Sequence, residues 1–417
     1  MKTLVLGGGV VGVTTAYFLA KAGHEVTILE EKDGLGLEAS AGNAGIIAPG
    51  HSFAWASPRA PAMLLRSLRG DETAIRVRLN SDPRLYAWGL RFLRECTAGR
   101  ARRNTLIKLR LCQYSQRVLN ELARAEGIEY HAIAQGALYL YRDPAELDTG
   151  VKKMALLAEH GQKQEILDAS AVARLDPVFE PVKAKIAGAI RDVGDASGDS
   201  RLFTESLGAL CRDRLGVTVK LGARVTALQS GGDRIDGVAT SEGFLTADNY
   251  VLALGVGSPT LARTAGVSLP IYPAKGYSAT FPLRPGGLAP TIPGVDERWL
   301  VGWSRLGDRL RLTSTAEFAG YDWGWTPRDF NNILRFARDV FPDAVDYDRG
   351  GEYRACLRPM TPDGPPILGL GRHRNLYFNS GHGHMGWTMA CGTARIVADL
   401  MSGRMPELDL EGLTPRR

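Results

Sequence analysis

The first thirty residues of the chain constrain its fold more than any other stretch. Residues 2–6 are an apolar run typical of a buried parallel strand, and the motif G-x-G-x-x-G follows at once. Residues 16–20 continue a helical pattern that ends at Gly23, and residues 26–29 form a second strand that leads to Glu30. Strand, glycine turn, helix, strand and acid, in this order, predict a dinucleotide-binding α/β fold.

The motif glycines and the acid each meet a physical need of such a site. Gly7 permits the sharp turn, Gly9 lets a pyrophosphate approach the backbone, and Gly12 lets the helix lie close to the strand. Glu30 follows Gly12 by 18 residues, where a carboxylate that accepts the ribose hydroxyls is expected. A phosphate on that ribose would be repelled by the acid, so the motif indicates FAD or NAD and argues against NADP.

Composition narrows the class of protein. A chain of 417 residues with 44% hydrophobic residues and 49 glycines is long enough for two α/β domains with substantial cores. Its five cysteines form no C-x-x-C pair, which argues against a zinc knuckle and indicates reduced thiols in the cytoplasm. No apolar run reaches membrane-spanning length, and the glycine-broken N-terminus indicates a retained first strand rather than a signal peptide.

Positive charge is concentrated in one region. The formal net charge is +6, and arginines crowd residues 59–117, among them Arg100, Arg102 and Arg103. Such a patch is compatible with peripheral contact to the acidic surface of the inner membrane or with attraction of an anionic substrate. A solvated helical face is the simpler explanation. No nucleic-acid-binding module accompanies the arginines, so nucleic acid is not expected as a partner.

The pattern of helices and strands predicts a discontinuous domain organisation. Residues 58–130 have a mostly helical pattern, residues 137–141 form a strand, and short strands separated by glycine turns occupy residues 217–246. The predicted fold class is α/β, with a Rossmann-like cofactor domain and a second, sheet-containing α+β substrate domain. The cofactor domain is predicted to comprise residues 1–57, 185–268 and 350–417, and the substrate domain, with the helical arginine-rich segment, residues 58–184 and 269–349.

Two further motifs lie near the C-terminus. The sequence R-P-M-T-P-D-G begins at Arg358, and G-H-G-H-M-G-W-T-M begins at Gly381 and opens a helix of small and apolar residues. Glycines followed by a helix N-terminus favour an anion site. His382 and His384 belong to the second motif, but no carboxylate or cysteine cluster accompanies them, so no metal is expected.

Together these residues resemble the D-amino acid oxidase superfamily of flavoproteins, and most of all its bacterial D-amino acid dehydrogenases of the small-subunit type. The two C-terminal motifs are quite specific, whereas the first glycine motif is shared by many flavoproteins. The resemblance implies that the first domain is an FAD-binding domain. It extends over nearly the whole chain, at residues 7–30, 40–50, 275–278, 358–369 and 381–389.

The resemblance also implies which residues contact FAD. A helix N-terminus near the flavin's C2 carbonyl would stabilise the negative charge that reduced flavin carries near N1 and O2. The implied contacts are Gly7, Gly9, Val10, Val11, Gly12, Glu30 and Glu31 at the pyrophosphate and ribose, Ser40, Asn43, Gly45 and Ile46 along the isoalloxazine, Val225 and Gly255 on the adenine side, and Gly383, His384, Met385, Gly386, Trp387 and Thr388 at the C2 end.

The same resemblance implies that Arg358 binds the substrate carboxylate, a role that a planar guanidinium performs better than a lysine. It also implies that Tyr277 hydrogen-bonds the carboxylate or the amine. The implied reaction is oxidative deamination of D-amino acids to 2-oxo acids and ammonia, by hydride transfer from Cα to flavin N5. The alternatives are oxidation of glycine, of N-substituted amino acids or of imino acids such as D-hydroxyproline. A flavin subunit that only relays electrons is the rival from another class. Oxygen and a quinone are both open as acceptors.

Two positions depart from the family pattern. Cys356 stands where these dehydrogenases usually have a glycine, and in related sarcosine-type oxidases a cysteine at the corresponding place is bound covalently to the flavin. Non-covalent FAD is expected, with a cysteinyl-flavin as the alternative. In the first case the thiol only fills the glycine's space. The second departure, His384-Met385, lies where the family varies.

Overall fold

The computed structural model describes residues 1–68 and 75–415. Its strands are β1 (Lys2–Leu6), β2 (Glu25–Leu29), β3 (Ile46–Ile47), β4 (Ile75–Val77), β5 (Ala137–Tyr141), β6 (Gln164–Asp168), β7 (Gly188–Asp192), β8 (Ala196–Ser197), β9 (Thr218–Lys220), β10 (Val225–Gly231), β11 (Arg234–Thr240), β12 (Gly243–Leu245), β13 (Asn249–Leu252), β14 (Tyr272–Pro282), β15 (Gly294–Asp296), β16 (Val301–Leu306), β17 (Arg309–Phe318), β18 (Glu352–Met360), β19 (Ile367–Leu370) and β20 (Leu376–Ser380).

The helices carry clear local start and stop signals. Asp143 and Asp199 accept backbone N–H groups in the first turns of two of them, and Gly127 and Gly216 end two in the left-handed conformation. The α-helices are α1 (Val10–Lys21), α2 (Ala39–Gly42), α3 (Ala60–Leu68), α4 (Pro83–Glu95), α5 (Ala98–Glu126), α6 (Pro144–Ala158), α7 (Ala169–Leu175), α8 (Ser200–Leu215), α9 (Ser258–Thr264), α10 (Asn331–Val340) and α11 (Gly386–Met401). Short 3-10 segments lie at Pro49–His51, Pro177–Lys185, Gly255–Gly257, Pro327–Phe330 and Gly383–Met385.

A six-stranded sheet in the order β19-β20-β13-β1-β2-β9 carries the N-terminal motif. The five strands from β20 to β9 are parallel, and β19 is an antiparallel edge strand. One face packs on α1, α8 and α11, where the largest apolar core lies, and the other face packs on the β10–β12 meander and α9. This arrangement confirms the predicted Rossmann-like α/β fold.

A second, nine-stranded mixed sheet runs in the order β18-β14-β17-β16-β15-β5-β7-β6, with β4 paired to β17. Its outer face is covered by α7, α10 and the 3-10 segments around Phe179 and Phe330, which form a separate apolar core. Strand β18 lies at the sheet edge, which explains how it tolerates Pro359, a residue without a backbone N–H. The sheet confirms a second, sheet-containing α+β layer.

Three elements pack against different parts of the chain from those that the predicted domain ranges imply. Strands β7 and β18 pair within the nine-stranded sheet, although the ranges 185–268 and 350–417 were assigned to the cofactor domain. Helix α5, assigned to the substrate domain, packs instead on the core that contains α1 and α11. These positions depend on pairing between strands that are distant in sequence. The local pattern of apolar and polar residues does not predict that pairing. The division of the chain into two domains stays a prediction.

Three of the six arginines of α5 pair with acidic residues near the end of the chain. Arg103 lies 2.9 Å from Glu411, Arg117 lies 2.5 Å from Glu407, and Arg110 lies 3.6 Å from Asp409. The acidic C-terminal segment therefore offsets the charge of these three arginines and leaves most of the arginine-rich region to other partners or to solvent. In the described part of the chain, no helix is both long and apolar enough to span a membrane.

Candidate active site

A cavity of about 3140 Å³ joins the two sheets. It begins at the carboxyl ends of β1 and β2, where parallel α/β sheets bind their ligands, and continues past α2 to β14, β17 and β18. The predicted site residues that line it are Gly7, Gly9, Val10, Val11, Glu30, Glu31, Ser40, Asn43, Ile46, Val225, Gly255, Gly383, His384, Gly386, Trp387 and Arg358. The structure thus brings both ends of the chain to one cavity.

The glycine turn is sterically fixed and leaves a helix N-terminus open to the cavity. Gly7 has φ +112°, and a Cβ on Gly12 would lie 1.9 Å from the Gly7 carbonyl oxygen. Gly9 precedes α1 without a side-chain cap, and one of the first backbone N–H groups, that of Val10, donates to Ser40 Oγ at 3.0 Å. This turn fits a pyrophosphate, since a helix N-terminus and close backbone access attract an anion.

Glu30 is held where the ribose of a dinucleotide is expected. Its carboxylate accepts hydrogen bonds from the backbone N–H of Gly8 at 2.6 Å and of Lys32 at 2.9 Å. Glu31 lines the same part of the cavity and lies 3.4 Å from both Lys32 and Arg224. The turn, the helix terminus and the acid together fit FAD.

The loop of small residues forms one wall of the cavity. Asn43 bridges it, because its Nδ2 donates to the Ser40 carbonyl at 3.0 Å while its Oδ1 accepts from the Gly45 N–H at 2.8 Å. Gly45 itself is not among the residues that line the cavity. It has φ +74°, and a Cβ there would lie 2.8 Å from Ser304 Oγ, so it lets the loop approach the second sheet.

Arg311 anchors this loop from the second sheet, and sequence analysis missed it. From β17 its guanidinium donates to the Ala41 carbonyl at 2.7 Å and to Thr280 Oγ1 at 2.9 Å. Burial lowers the pKa of Arg311. A single arginine in a strand pattern carries no motif, so only the pairing of β14 with β17 reveals that it reaches the loop.

The residues of the C-terminal motif that begins at Gly381 are divided between the cavity wall and the apolar core. Met385 belongs to the apolar core, and Thr388 Oγ1 accepts the Ala48 N–H at 3.2 Å, so neither lines the cavity, in contrast to Gly383 and Gly386. His382 Nε2 is paired with Thr393 Oγ1 at 3.0 Å. Within the described residues no group of histidine, cysteine and acidic side chains could hold a metal ion.

Arg358 lies in the cavity without a carboxylate partner among the described residues. Its Nη1 donates to the Thr315 carbonyl at 2.8 Å, and burial lowers the pKa of the guanidinium. The group lies flat against Gly276, where a Cβ would be 2.3 Å from its central carbon. A desolvated cation without a counter-charge favours an anionic ligand.

Tyr277 lies away from the cavity, contrary to its predicted position in the substrate pocket. Its hydroxyl donates to Glu317 Oε2 at 2.7 Å, and its ring packs on Phe330 in the core of the nine-stranded sheet. Successive strand residues face opposite sides of a sheet, so Gly276 on the cavity side puts Tyr277 on the other. The substrate contact assigned to it has no basis in this geometry.

Cys356 also lines the cavity, and its thiol faces the small-residue loop. A Cβ on Gly42 would lie 2.1 Å from Cys356 Sγ, so glycine is needed there to admit the sulfur. Burial raises the pKa of the thiol, although Arg358 and Arg354 act in the opposite direction. The group is therefore a packed thiol rather than an exposed thiolate.

Comparison with known proteins agrees with this geometry. A sequence model of the family described as FAD dependent oxidoreductase matches residues 2–400. The chain is 46% identical over 413 residues to D-amino acid dehydrogenase 2 of Mesorhizobium japonicum, covering 99% of both chains. It is 44% identical to D-amino acid dehydrogenase of Paramagnetospirillum magneticum, covering 99% of this chain and 98% of that protein.

Solved structures share the fold at lower identity. Glycine oxidase from Geobacillus kaustophilus superposes with a TM-score of 0.75 at 22% identity, over 99% of this chain and 97% of that one. Iminodiacetate oxidase from Chelativorans sp. BNC1 gives 0.72 at 24% identity, over 99% and 98%. With the family match over nearly the whole length, the chain belongs to the FAD-dependent oxidoreductases.

Proposed function

We propose that this enzyme oxidises D-amino acids to 2-oxo acids and ammonia. The observation that carries the proposal is the guanidinium of Arg358, which has no carboxylate partner among the described residues and lies in the cavity that also holds the FAD-binding turn. An α-amino acid presents a carboxylate beside the carbon that is to be oxidised. The relatives named D-amino acid dehydrogenase, at 46% and 44% identity, support this substrate class and its configuration.

The residues of the chain divide the work between binding and orientation. Arg358 offers a planar pair of N–H donors for a carboxylate, and its bond to Thr315 fixes one edge of the fork. Bound FAD supplies a hydride acceptor at N5 for the Cα hydrogen of the substrate. With the amine neutral, its lone pair forms the C=N bond, so a side-chain base is not required.

The site residues keep the proposed roles that their positions support. We assign the pyrophosphate to Gly7, Gly9 and the start of α1, and the ribose to Glu30. The wall formed by Ser40, Asn43 and Ile46 would lie along the isoalloxazine, Val225 and Gly255 on the adenine side, and Gly383, Gly386 and Trp387 at the C2 end, as their places in the cavity support. Tyr277 is removed from the proposed substrate-binding residues, because its hydroxyl donates a hydrogen bond to Glu317.

The environment of the Cys356 thiol favours non-covalent binding of FAD. Formation of a thioether at Cys356 would need a thiolate and a sulfur free to approach the ring. Burial raises the pKa of this thiol, and Sγ packs against Gly42.

The electron acceptor is proposed to be a quinone, reached through peripheral membrane contact on the cytoplasmic side. Helices α3 and α4 expose apolar side chains at the mouth of the cavity, and Leu90 and Leu93 are 55% and 47% exposed. Arg91 and Arg94 lie beside these leucines in the sequence of α4. No carboxylate of the described residues lies within ion-pair distance of either arginine. Apolar side chains flanked by unpaired arginines suit the surface of an anionic bilayer. The set is Met63, Leu79, Tyr86, Leu90 and Leu93.

The substrate class is tested by anaerobic mixing of the FAD-loaded protein with D-alanine, L-alanine, glycine, D-proline and sarcosine. We expect D-alanine to bleach the flavin absorbance fastest and L-alanine to leave it unchanged. Faster bleaching by glycine, sarcosine or D-proline would move the assignment to those substrates. No bleaching by any of the five would favour an electron-relay subunit.

Arg358→Ala is expected to weaken D-alanine binding by about 2 kcal/mol or more, which is roughly 30-fold in KM, because the carboxylate loses a charge-assisted fork. FAD content should equal that of the wild type, since Arg358 contacts Thr315 and Gly276 in the nine-stranded sheet, whereas the glycine turn belongs to the six-stranded sheet. Arg212→Ala, at an exposed surface pair with Asp213, is the matched control. Unchanged saturation kinetics in Arg358→Ala would contradict the role.

Acid precipitation reports the mode of FAD attachment. We expect all yellow colour in the supernatant, because a buried, protonated thiol forms no bond to the flavin. Colour retained in the washed pellet, and lost in Cys356→Ala, would establish the cysteinyl-flavin instead.

Vesicle sedimentation tests the membrane face. The double variant Leu90→Glu/Leu93→Glu should lose binding to vesicles that contain anionic lipid, because it adds charge and removes apolar contact area. Ile166→Glu, at an equally exposed apolar residue on β6, should bind as the wild type does. Equal sedimentation of both variants would rule out this surface.

A further inference from the structure

A second cavity, of about 330 Å³, lies on the other side of the small-residue loop from the large cavity that contains Arg358. Ala41 of α2 lines this second cavity, whereas its neighbours Ser40 and Gly42 line the large one, so the loop separates the two. Among the described residues, four arginines, three carboxylates and one histidine line the second cavity, and the proposed oxidation uses none of them. A wall of this kind suits a charged ligand rather than an apolar one.

The pairing of β14 with β17 and β18 explains why these charged side chains meet. Thr280 of β14 pairs with Arg311 on one side and with Glu352 on the other. Arg309 and Arg354 lie two residues away on the same two strands, so all four charged residues face one side of the sheet. The start of α8 supplies the other charged side chains of the wall.

Three of the four arginines have a carboxylate partner, but two of them use only one nitrogen for it. Arg201 donates through Nε alone and Arg309 through Nη2 alone, so their other guanidinium nitrogens have no acceptor among the described residues. The side chains of Arg201, Arg309 and Arg354 are 39%, 38% and 32% exposed, so a ligand in the cavity can reach them. The pairs are Arg201–Glu205 at 2.7 Å, Arg309–Asp199 at 2.8 Å and Arg354–Glu352 at 2.5 Å.

Arg311 gives the wall one positive charge in excess. It is buried and has no carboxylate partner among the described residues, because its guanidinium bonds Thr280 Oγ1 and the Ala41 carbonyl instead. Arg309 lies on the same face of β17, so two like charges lie near each other in one wall. With His131 neutral, the four arginines and three carboxylates leave the cavity with a positive charge that an anion would offset.

We propose that the second cavity binds a small oxyanion of the phosphate or sulfate class, held by the free guanidinium nitrogens of Arg201 and Arg309 and attracted by the charge of Arg311. A tetrahedral oxyanion presents several acceptor oxygens, which guanidinium groups from two directions satisfy together. Because Arg311 donates to the Ala41 carbonyl at 2.7 Å, the bound anion also stabilises the loop along which the isoalloxazine is proposed to lie. This site goes beyond the proposed oxidation and does not depend on an amino acid substrate.

Titration calorimetry of the FAD-loaded protein with inorganic phosphate tests the proposal, at an ionic strength held constant with sodium chloride. Bound FAD occupies the glycine turn, and the variant Arg358→Ala removes the cation of the large cavity, so neither of those sites accounts for binding in that background. Arg201→Gln and Arg309→Gln are made singly in the same background. Arg212→Gln is the matched control, because it also removes an arginine of α8 that pairs with a carboxylate, that of Asp213.

We expect saturable phosphate binding in the wild type, in Arg358→Ala and in the Arg212→Gln control, and affinity weaker by about fivefold or more in Arg201→Gln and in Arg309→Gln. Saturating phosphate should raise the melting temperature of Arg358→Ala more than that of either cavity variant, because a ligand that binds only the folded state stabilises it.

Three results would overturn the proposal. They are no saturable binding in the wild type, affinity that is unchanged in both Arg201→Gln and Arg309→Gln, and binding that is lost in Arg358→Ala, which would place the anion in the large cavity. Since no amino acid is present in these titrations, none of the three results bears on the proposed oxidation, which flavin bleaching tests separately.

Discussion

The structure depends on the guanidinium of Arg358, which lies in the cavity with no carboxylate partner among the described residues. Removing a cation from water costs several kcal/mol unless a counter-charge compensates, so the fold must hold Arg358 in place. Thr315 accepts one N–H while its own backbone adopts φ 70°, a strained value for a residue with a branched side chain, and Gly276 leaves the space in which the planar group lies. The positive charge of Arg358 therefore attracts an incoming carboxylate, which would supply the missing counter-charge.

The position of this charge relative to the cofactor turn follows from how the two ends of the chain pack. Helices α1 and α11 share the largest apolar core, Thr14 Oγ1 donates to the Ala390 carbonyl at 3.3 Å, and Asn379 donates to Thr15 Oγ1 at 2.9 Å. Arg311 then ties the small-residue loop to the second sheet. The turn, the C-terminal loop and the sheet with Arg358 therefore form one packed unit, and the cavity lies between them.

Local signals in the sequence predicted the parts of this unit that depend on local chemistry. The glycine turn, Glu30 and the end of the first helix at Gly23 follow from backbone sterics within a few residues, and the structure has them at the predicted places. The side on which Tyr277 lies, the pairing of β18 and the reach of Arg311 depend on register between strands far apart in sequence. A shift of one residue reverses the face, so a resemblance in sequence placed Tyr277 in the pocket while the pleat turns it into the core.

The most direct test of the central claim is a crystal structure of the FAD-loaded protein with propanoate bound. We expect both carboxylate oxygens within roughly 3 Å of Arg358 nitrogens, with the carbon next to the carboxylate facing flavin N5. A carboxylate bound elsewhere, or a guanidinium of Arg358 turned away from the flavin ring, would contradict it.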